Sequence, residues 1–471
     1  MIKSRLIEVL RTLSRKERRD LSKWVISPAY NQRKDVVLLL EYLIEKENLQ
    51  SDDKLLKEEV FEKVYPDEPY DDAKMRQVMH FLFKVVEAYL IHITAVENKI
   101  MEQLLLAKFY RRRGLSKSFE KSIKRIEDLQ KGKFTRDDQF LYEEFLVQLE
   151  KYKFFNKASR RIAKFNLQEI SDVFDQYYIA NKLKQASWML SHQAVFHTEY
   201  DNVFLEHIIS HLENTPDLLD NPAIGIYFFT FKMQANEEEE THFIHLKESL
   251  RKNTGQLPLN EMQNLYLFAI NYCAKKINNG KSQFISEAWE LQKRGLEEGI
   301  LIQDGYLNRF IYRNFITTGI RLGYYDKVNE YIFKYGELLR EEYKDNFIKF
   351  SLAKLFYEKG SYEKAMELVS QYEFKDILVN LSAKTMLLKM YYEQSEFRVL
   401  ESLLESMRAY LQRKKVLGYH KANYKNIIRY TKKLLKVNPY SKAQVNKLRQ
   451  EMEAVNPLTE KKWLLRQLEE L

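Results

Sequence analysis

The chain has 471 residues, 13 of them glycine and 8 proline, one cysteine, and 77 basic against 67 acidic side chains, a formal net charge of +10. Glycine plus proline is 21 of 471 residues, about 4% where average usage is roughly 12%, and these two residues supply the special backbone angles of sharp turns. Their scarcity argues against a sandwich, a barrel or a nucleotide-binding α/β fold and predicts an all-α chain of long helices joined by few, short turns.

The first hundred residues read as a small helical domain, 1–98. Ile2, Leu6, Val9, Leu10 and Leu13 trace an amphipathic stripe. Ser14 and Glu17 have the spacing of a capping box, so a second helix is predicted to start there and to stop at Ile26, before Pro28. A third helix carries Val36, Val37, Leu40 and Leu43, and a fourth runs from Leu55 to Val64, before Pro66. Asp71 and Asp72 open a long helix, where negative charge suits the helix dipole; its apolar positions are Met75, Val78, Leu82, Val85, Tyr89 and Ile93. Arg15, Lys16, Arg18 and Arg19 make this domain a candidate DNA reader, but the turn between its last two helices holds Asp67, Glu68, Asp71 and Asp72, which would repel phosphate.

From residue 99 helix follows helix. Breaks are predicted near Gly114, Gly132, Asn214 to Pro216, Asn221-Pro222, Asn253 to Pro258, Asn278 to Gly280 and Gly299 to Gly305, with no strand-like alternation of useful length between them. The expected organisation is an irregular helical-hairpin array over 99–305, repeats over 306–440 and capping helices over 441–471. The repeats can be counted. Gly323-x-Tyr325-x-x-Val328 recurs as Gly360-x-Tyr362-x-x-Ala365 and as Ser395-x-Phe397-x-x-Leu400, and each turn position follows an apolar row: Phe315 and Gly319, Leu352 and Phe356, Leu387 and Tyr391.

The stretch Leu352-Ala353-x-x-Phe356-Tyr357-Glu358-Lys359-Gly360-Ser361-Tyr362-Glu363-Lys364-Ala365 resembles a tetratricopeptide (TPR) repeat, a helix–turn–helix unit of about 34 residues that stacks into a solenoid. The copies around Gly323 and Ser395 depart from the pattern at Val328 and Leu400, where the family has a small residue, and the proline expected near the unit's end is missing. A weaker echo occurs at Leu106-Ala107-x-x-Tyr110-x-x-x-Gly114, with Phe119 three residues late. The chain as a whole is similar to helical-repeat proteins of bacteria. The resemblance implies a TPR-like α-solenoid that binds a protein or peptide as a scaffold or adaptor and carries out no reaction. Mapping the family's first-helix pattern puts Arg313, Asn314, Arg321, Lys354, Tyr357, Lys389 and Tyr392 on the concave, partner-binding face.

Motifs for chemistry are weak. Gly280-Lys281-Ser282 ends like a phosphate-binding loop, but the earlier glycine is Lys275 and no strand precedes it. His207 and His211 share a helix face near His192, His197, His242 and His245, yet Val203, Phe204, Ile208, Ile209 and Leu212 account for that helix without a metal. Cys273 sits in a mostly apolar run and reads as a packed side chain. The 31 tyrosines and 28 phenylalanines read as filling between helices rather than as a base-stacking surface. No catalytic residue, metal or cofactor is expected. A lone cysteine excludes an internal disulfide framework, the apolar runs Val36–Leu40 and Ala223–Phe231 fall short of the ~18 residues of a membrane span, and Met1 to Arg5 lead into an amphipathic pattern rather than a secretory one. A cytoplasmic protein is expected.

The charge is concentrated. Ser406 to Gln450 contain no Asp or Glu but hold Arg408, Arg413, Lys414, Lys415, Lys421, Lys425, Arg429, Lys432, Lys433, Lys436, Lys442, Lys447 and Arg449. The remaining 64 basic and 67 acidic residues leave the rest of the chain at −3. Tyr424, Ile427, Ile428, Thr431, Leu434 and Leu435 form a buried stripe, with Lys421, Lys425, Arg429, Lys432, Lys433 and Lys436 along an adjacent face. Four readings stand: a solvated face, a docking surface for an acidic protein, a nucleic-acid phosphate site, and an anionic membrane surface.

Overall fold

The computed structural model describes all residues except 46–47, 159–164, 197, 371–373, 375 and 414–417. Among the described residues 23 α-helices account for nearly all regular structure, and the fold is all-α. The chain divides into two compact units, Met1–Ile179 and Ala180–Leu471.

The first unit comprises α1 (Arg5–Thr12), α2 (Arg15–Ile26), α3 (Lys34–Ile44), α4 (Lys57–Val64), α5 (Asp72–Glu97), α6 (Lys99–Arg113), α7 (Ser116–Gly132), α8 (Asp138–Ala158) and the first part of α9 (Leu167–Phe196). The capping box at Ser14 and Glu17 is made in both directions, Glu17 N to Ser14 Oγ at 3.2 Å and Ser14 N to Glu17 Oε2 at 2.7 Å. Asp71 caps α5, accepting from the amides of Ala73 and Lys74. The fourth helix begins at Lys57 rather than Leu55, because Leu56 is extended and Leu55 closes a short 3₁₀ turn in the core. One core joins Leu6, Ile7 and Leu10 to Leu21, Leu39, Leu40, Phe61 and the α5 positions Met75, Val78, Leu82, Val86 and Tyr89. The fully buried position is Val86, not Val85, as a 3.6-residue period from Leu82 requires. By length and composition α5 is a candidate membrane span, and that same apolar stripe lies in this core.

The second unit continues with α10 (Leu205–Asn214), α11 (Pro222–Ala235), α12 (Thr241–Lys252), α13 (Leu259–Asn278), α14 (Phe284–Glu297), α15 (Arg309–Arg321), α16 (Tyr325–Gly336), α17 (Glu341–Glu358), α18 (Tyr362–Ser370), α19 (Ile377–Glu393), α20 (Phe397–Arg413), α21 (Gly418–Leu434), α22 (Lys442–Ala454) and α23 (Lys461–Glu469). Helices pair as hairpins, α13 with α14, α15 with α16, α17 with α18 and α19 with α20, and α17 also packs on both α15 and α19. A minimal hairpin, β1 (Ile302–Gln303) and β2 (Tyr306–Leu307), turns through Asp304-Gly305, both left-handed. Strands of two residues are too short to leave an alternating pattern, so sequence reading passes over them.

The three counted turns share one geometry. Gly323, Gly360 and Ser395 all have positive φ, at 74°, 75° and 60°. The residue after each donates to a carbonyl five back: Tyr324 to Gly319 at 3.0 Å, Ser361 to Phe356 at 2.9 Å and Glu396 to Tyr391 at 2.8 Å. This closes the helix end with a left-handed residue and satisfies carbonyls that have no partner in the helix. The hairpin α6–α7 ends its first helix in the same way, with Gly114 at φ 71° and Leu115 donating to Tyr110. Between the turns, packing differs. A Cβ on Gly319 would lie 2.5 Å from the Trp289 ring and 2.6 Å from Val328 Cγ2, so the larger Val328 in this copy is accommodated by the absence of a side chain at Gly319.

Candidate binding cleft

The helix-turn register sets the site. Counting back six residues from each turn residue gives Thr317 on α15, Lys354 on α17 and Lys389 on α19, and the structure stacks these equivalent positions. Lys354 Nζ donates to Thr317 Oγ1 at 3.1 Å. Lys389 Nζ lies 4.7 Å from the centre of the Tyr357 ring. With Arg313, Asn314 and Arg321 they line a cleft of about 720 Å³, within the range of a ligand site.

Six of the seven residues expected on the concave face therefore share this cleft: Arg313, Asn314, Arg321, Lys354, Tyr357 and Lys389. Tyr392 is the correction. It packs edge-on to Trp463, ring centres 5.5 Å apart, and against Phe397, within the C-terminal core. Its register matches Tyr357, but α23 comes down beside α19 and covers it. The Tyr357 hydroxyl also works internally, donating to Glu393 Oε1 at 3.2 Å, while its ring supports Lys389.

Sequence reading missed the opposite wall. Asn423 and Tyr424 of α21 and the segment Thr459 to Trp463 line the same cleft. Glu460 Oε2 accepts from Lys389 Nζ at 2.9 Å across 71 residues. Asn423 Oδ1 is buried and, among the described residues, meets no donor. An acidic residue beside a helix start is common, and nothing in the pattern of Thr459-Glu460 marks it as the partner of Lys389.

The lining is strongly cationic: Arg313, Arg321, Lys354, Lys389, Lys461 and Lys462 against Glu358 and Glu460. Among the described residues no carboxylate comes within ion-pair distance of Arg313 or Lys354. Burial is the main influence on Lys354 and pushes its pKa from the ordinary 10.5 to about 8; Glu460 and Glu358 pull the other way, and Arg313 and Lys389 add to the depression. The cleft thus holds positive charge at close quarters without a matching set of carboxylates.

The basic segment behaves differently. Lys414 and Lys415 lie outside the described residues. Arg413, Lys425, Arg429 and Lys436 are exposed, and Lys421 is partly buried. Lys432 and Lys433 are ion-paired, with Glu405 and Glu451, while Arg449 meets Glu469 at 2.8 Å. Glu405 and Glu451 flank the acid-free run and Glu469 comes from the end of α23, so helix packing returns part of the missing negative charge.

None of the remaining candidates lines the cleft. Cys273 is fully buried, and burial raises its thiol pKa. Lys281 follows a left-handed Gly280 and pairs with Glu240 at 2.8 Å, in a turn between α13 and α14. His245 stacks on Phe229, His192 on Phe196, and His207 and His211 are exposed; His197 lies outside the described residues. Among the described residues no three His, Cys, Asp or Glu side chains gather as a metal site. In the first unit, Asp72 holds Lys57 at 2.6 Å and Arg76 at 2.9 Å beside the acidic turn. No family model, curated protein or solved structure matches the chain.

Proposed function

We propose that the chain is a non-enzymatic, TPR-like helical-repeat adaptor whose C-terminal part is an α-solenoid, and that the cleft of α15, α17 and α19 binds an extended acidic segment of a partner protein. The observation that carries this reading is the charge of the cleft, six lysine and arginine side chains against two glutamates. Holding Lys354 in a desolvated position without a carboxylate opposes stability, and such arrangements concentrate where a ligand supplies the missing charge. A peptide backbone suits the rest of the lining, because an amide N–H would satisfy Asn423 Oδ1 and a side chain between the acids would lie on Tyr357. The single cysteine, buried and unpaired, is in keeping with a cytoplasmic location.

The test is fluorescence anisotropy with a labelled peptide that alternates glutamate with apolar residues, beside a counterpart carrying lysine for glutamate. The acidic peptide binds and the basic one does not, and Arg313→Glu or Lys389→Glu abolishes binding. Equal binding of both peptides, or indifference to both substitutions, refutes the proposal.

A further inference from the structure

We propose that the groove between α21 and α22 is a phosphate-backbone site for single-stranded nucleic acid, with Tyr440 as its base-stacking side chain. This site is separate from the cleft and does not depend on the reading given for it.

The groove has a volume of about 340 Å³, with Val437 and Leu448 as its apolar part and Lys432, Lys433, Lys436 and Lys447 as its cations. Glu451 is the single carboxylate in its lining. It accepts from Lys433 Nζ, and that bond, with Lys447 and Arg429 nearby, holds its carboxyl below the usual range. An oxyanion already sits where three cations converge, and a phosphate oxygen asks for the same surroundings. Lys436 and Lys447 have no carboxylate within ion-pair distance among the described residues, and exposed Lys425 and Arg429 continue the track along α21.

Tyr440 is the second, independent observation. It stands in the turn joining the two helices that form the groove and is 95% exposed, more than any other large apolar side chain among the described residues. Its backbone is nevertheless held: Tyr440 N donates to Asn438 Oδ1 at 3.0 Å and Ser441 N to Asn438 O at 3.0 Å. An uncovered ring on the hydrogen-bonded turn that joins the two helices of a lysine groove matches the two parts of single-strand recognition, electrostatic tracking of the backbone and sequence-tolerant stacking on a base. In a duplex the base faces are covered by their neighbours, leaving the ring nothing to stack on. An acidic peptide would use the lysines but gives the ring no comparable partner.

The experiment is fluorescence anisotropy of the full chain with labelled oligo-dT and oligo-U, and with a duplex of the same length, at about 50 and about 200 mM salt. The single strands bind at low salt and weaken as salt rises. The double substitution Lys436→Glu with Lys447→Glu weakens binding at least about 10-fold and flattens the salt dependence, since each lost phosphate contact removes about 0.7 from the slope. Tyr440→Ala weakens binding about 5-fold or more and leaves the salt slope unchanged, as loss of one base stack requires. All three positions are exposed, and far-UV circular dichroism verifies that the variants fold. Absence of binding at low salt, an unaffected Tyr440→Ala, duplex binding as tight as single-strand binding, or displacement of the oligonucleotide by polyglutamate at equal charge each overturns the proposal. Lys354→Met in the cleft leaves oligonucleotide binding unchanged, which keeps failure of one site distinguishable from failure of the other.

Discussion

Lys354→Met tests the link between the cleft's charge and its purpose. In the folded chain Lys354 gives up its proton near pH 8, against 10.5 for an ordinary lysine. Between those values the unfolded chain binds more protons, so this group makes stability rise with pH across that window. Below pH 8 the folded state bears the whole penalty, about 3 kcal/mol at 1.36 kcal/mol per pH unit. Methionine has a similar length and no charge, so the substitution removes that penalty. It also removes the hydrogen bond from the charged amine to Thr317, worth about 1.5 kcal/mol. The variant is therefore expected to be more stable than the wild type by about 1.5 kcal/mol at neutral pH. That advantage shrinks as pH rises past about 8 and vanishes or reverses by about 10.5, where lysine is neutral in both states. Urea denaturation of both proteins over this range, compared as a difference curve, cancels the other titrating groups. The same variant loses affinity for an acidic peptide, and wild-type affinity falls as pH rises through about 8 because the bound anion holds the proton on Lys354. A variant less stable than the wild type at neutral pH, or a difference that does not change with pH, refutes the reasoning.

Three further outcomes are expected. Glu460→Gln frees Lys389 from its internal carboxylate and raises the affinity for an acidic peptide about 2- to 5-fold, the scale of a partly exposed ion pair, as read by anisotropy titration. Ser395→Gly stabilises the second unit by about 1 kcal/mol, because a residue at φ 60° carries a left-handed penalty that glycine escapes, whereas Gly360→Ala destabilises it by a similar amount although nothing lies within 4 Å of the new Cβ; urea denaturation reads both signs. Cys273 stays unmodified by a thiol reagent such as iodoacetamide in the native protein and reacts once urea unfolds it, since burial both blocks access and raises its pKa.

Much of the fold was legible in sequence because the signals are local. A capping box needs only Ser14 and Glu17, and a left-handed turn residue needs only its own φ, so the helix ends at Ile26, Gly114, Gly323 and Gly360 could be read off directly. Ser395 could be placed too, despite not being glycine, because its neighbours keep the repeat spacing. The same register brought Arg313, Asn314, Arg321, Lys354, Tyr357 and Lys389 together, since helix periodicity and repeat length dictate which side chains share a face.

What sequence did not determine were contacts across long separations. Glu460 meets Lys389 across 71 residues, and Trp463 takes Tyr392 out of the expected face, both because α23 packs against α19. Likewise an acid-free run from Ser406 to Gln450 counts as uncompensated charge only along the chain; in three dimensions Glu405, Glu451 and Glu469 reach back into it. Periodicity and turn chemistry act over a few residues and are written in the sequence. Coulombic pairing and burial act through space, and only the packing of distant helices decides which charges are neighbours.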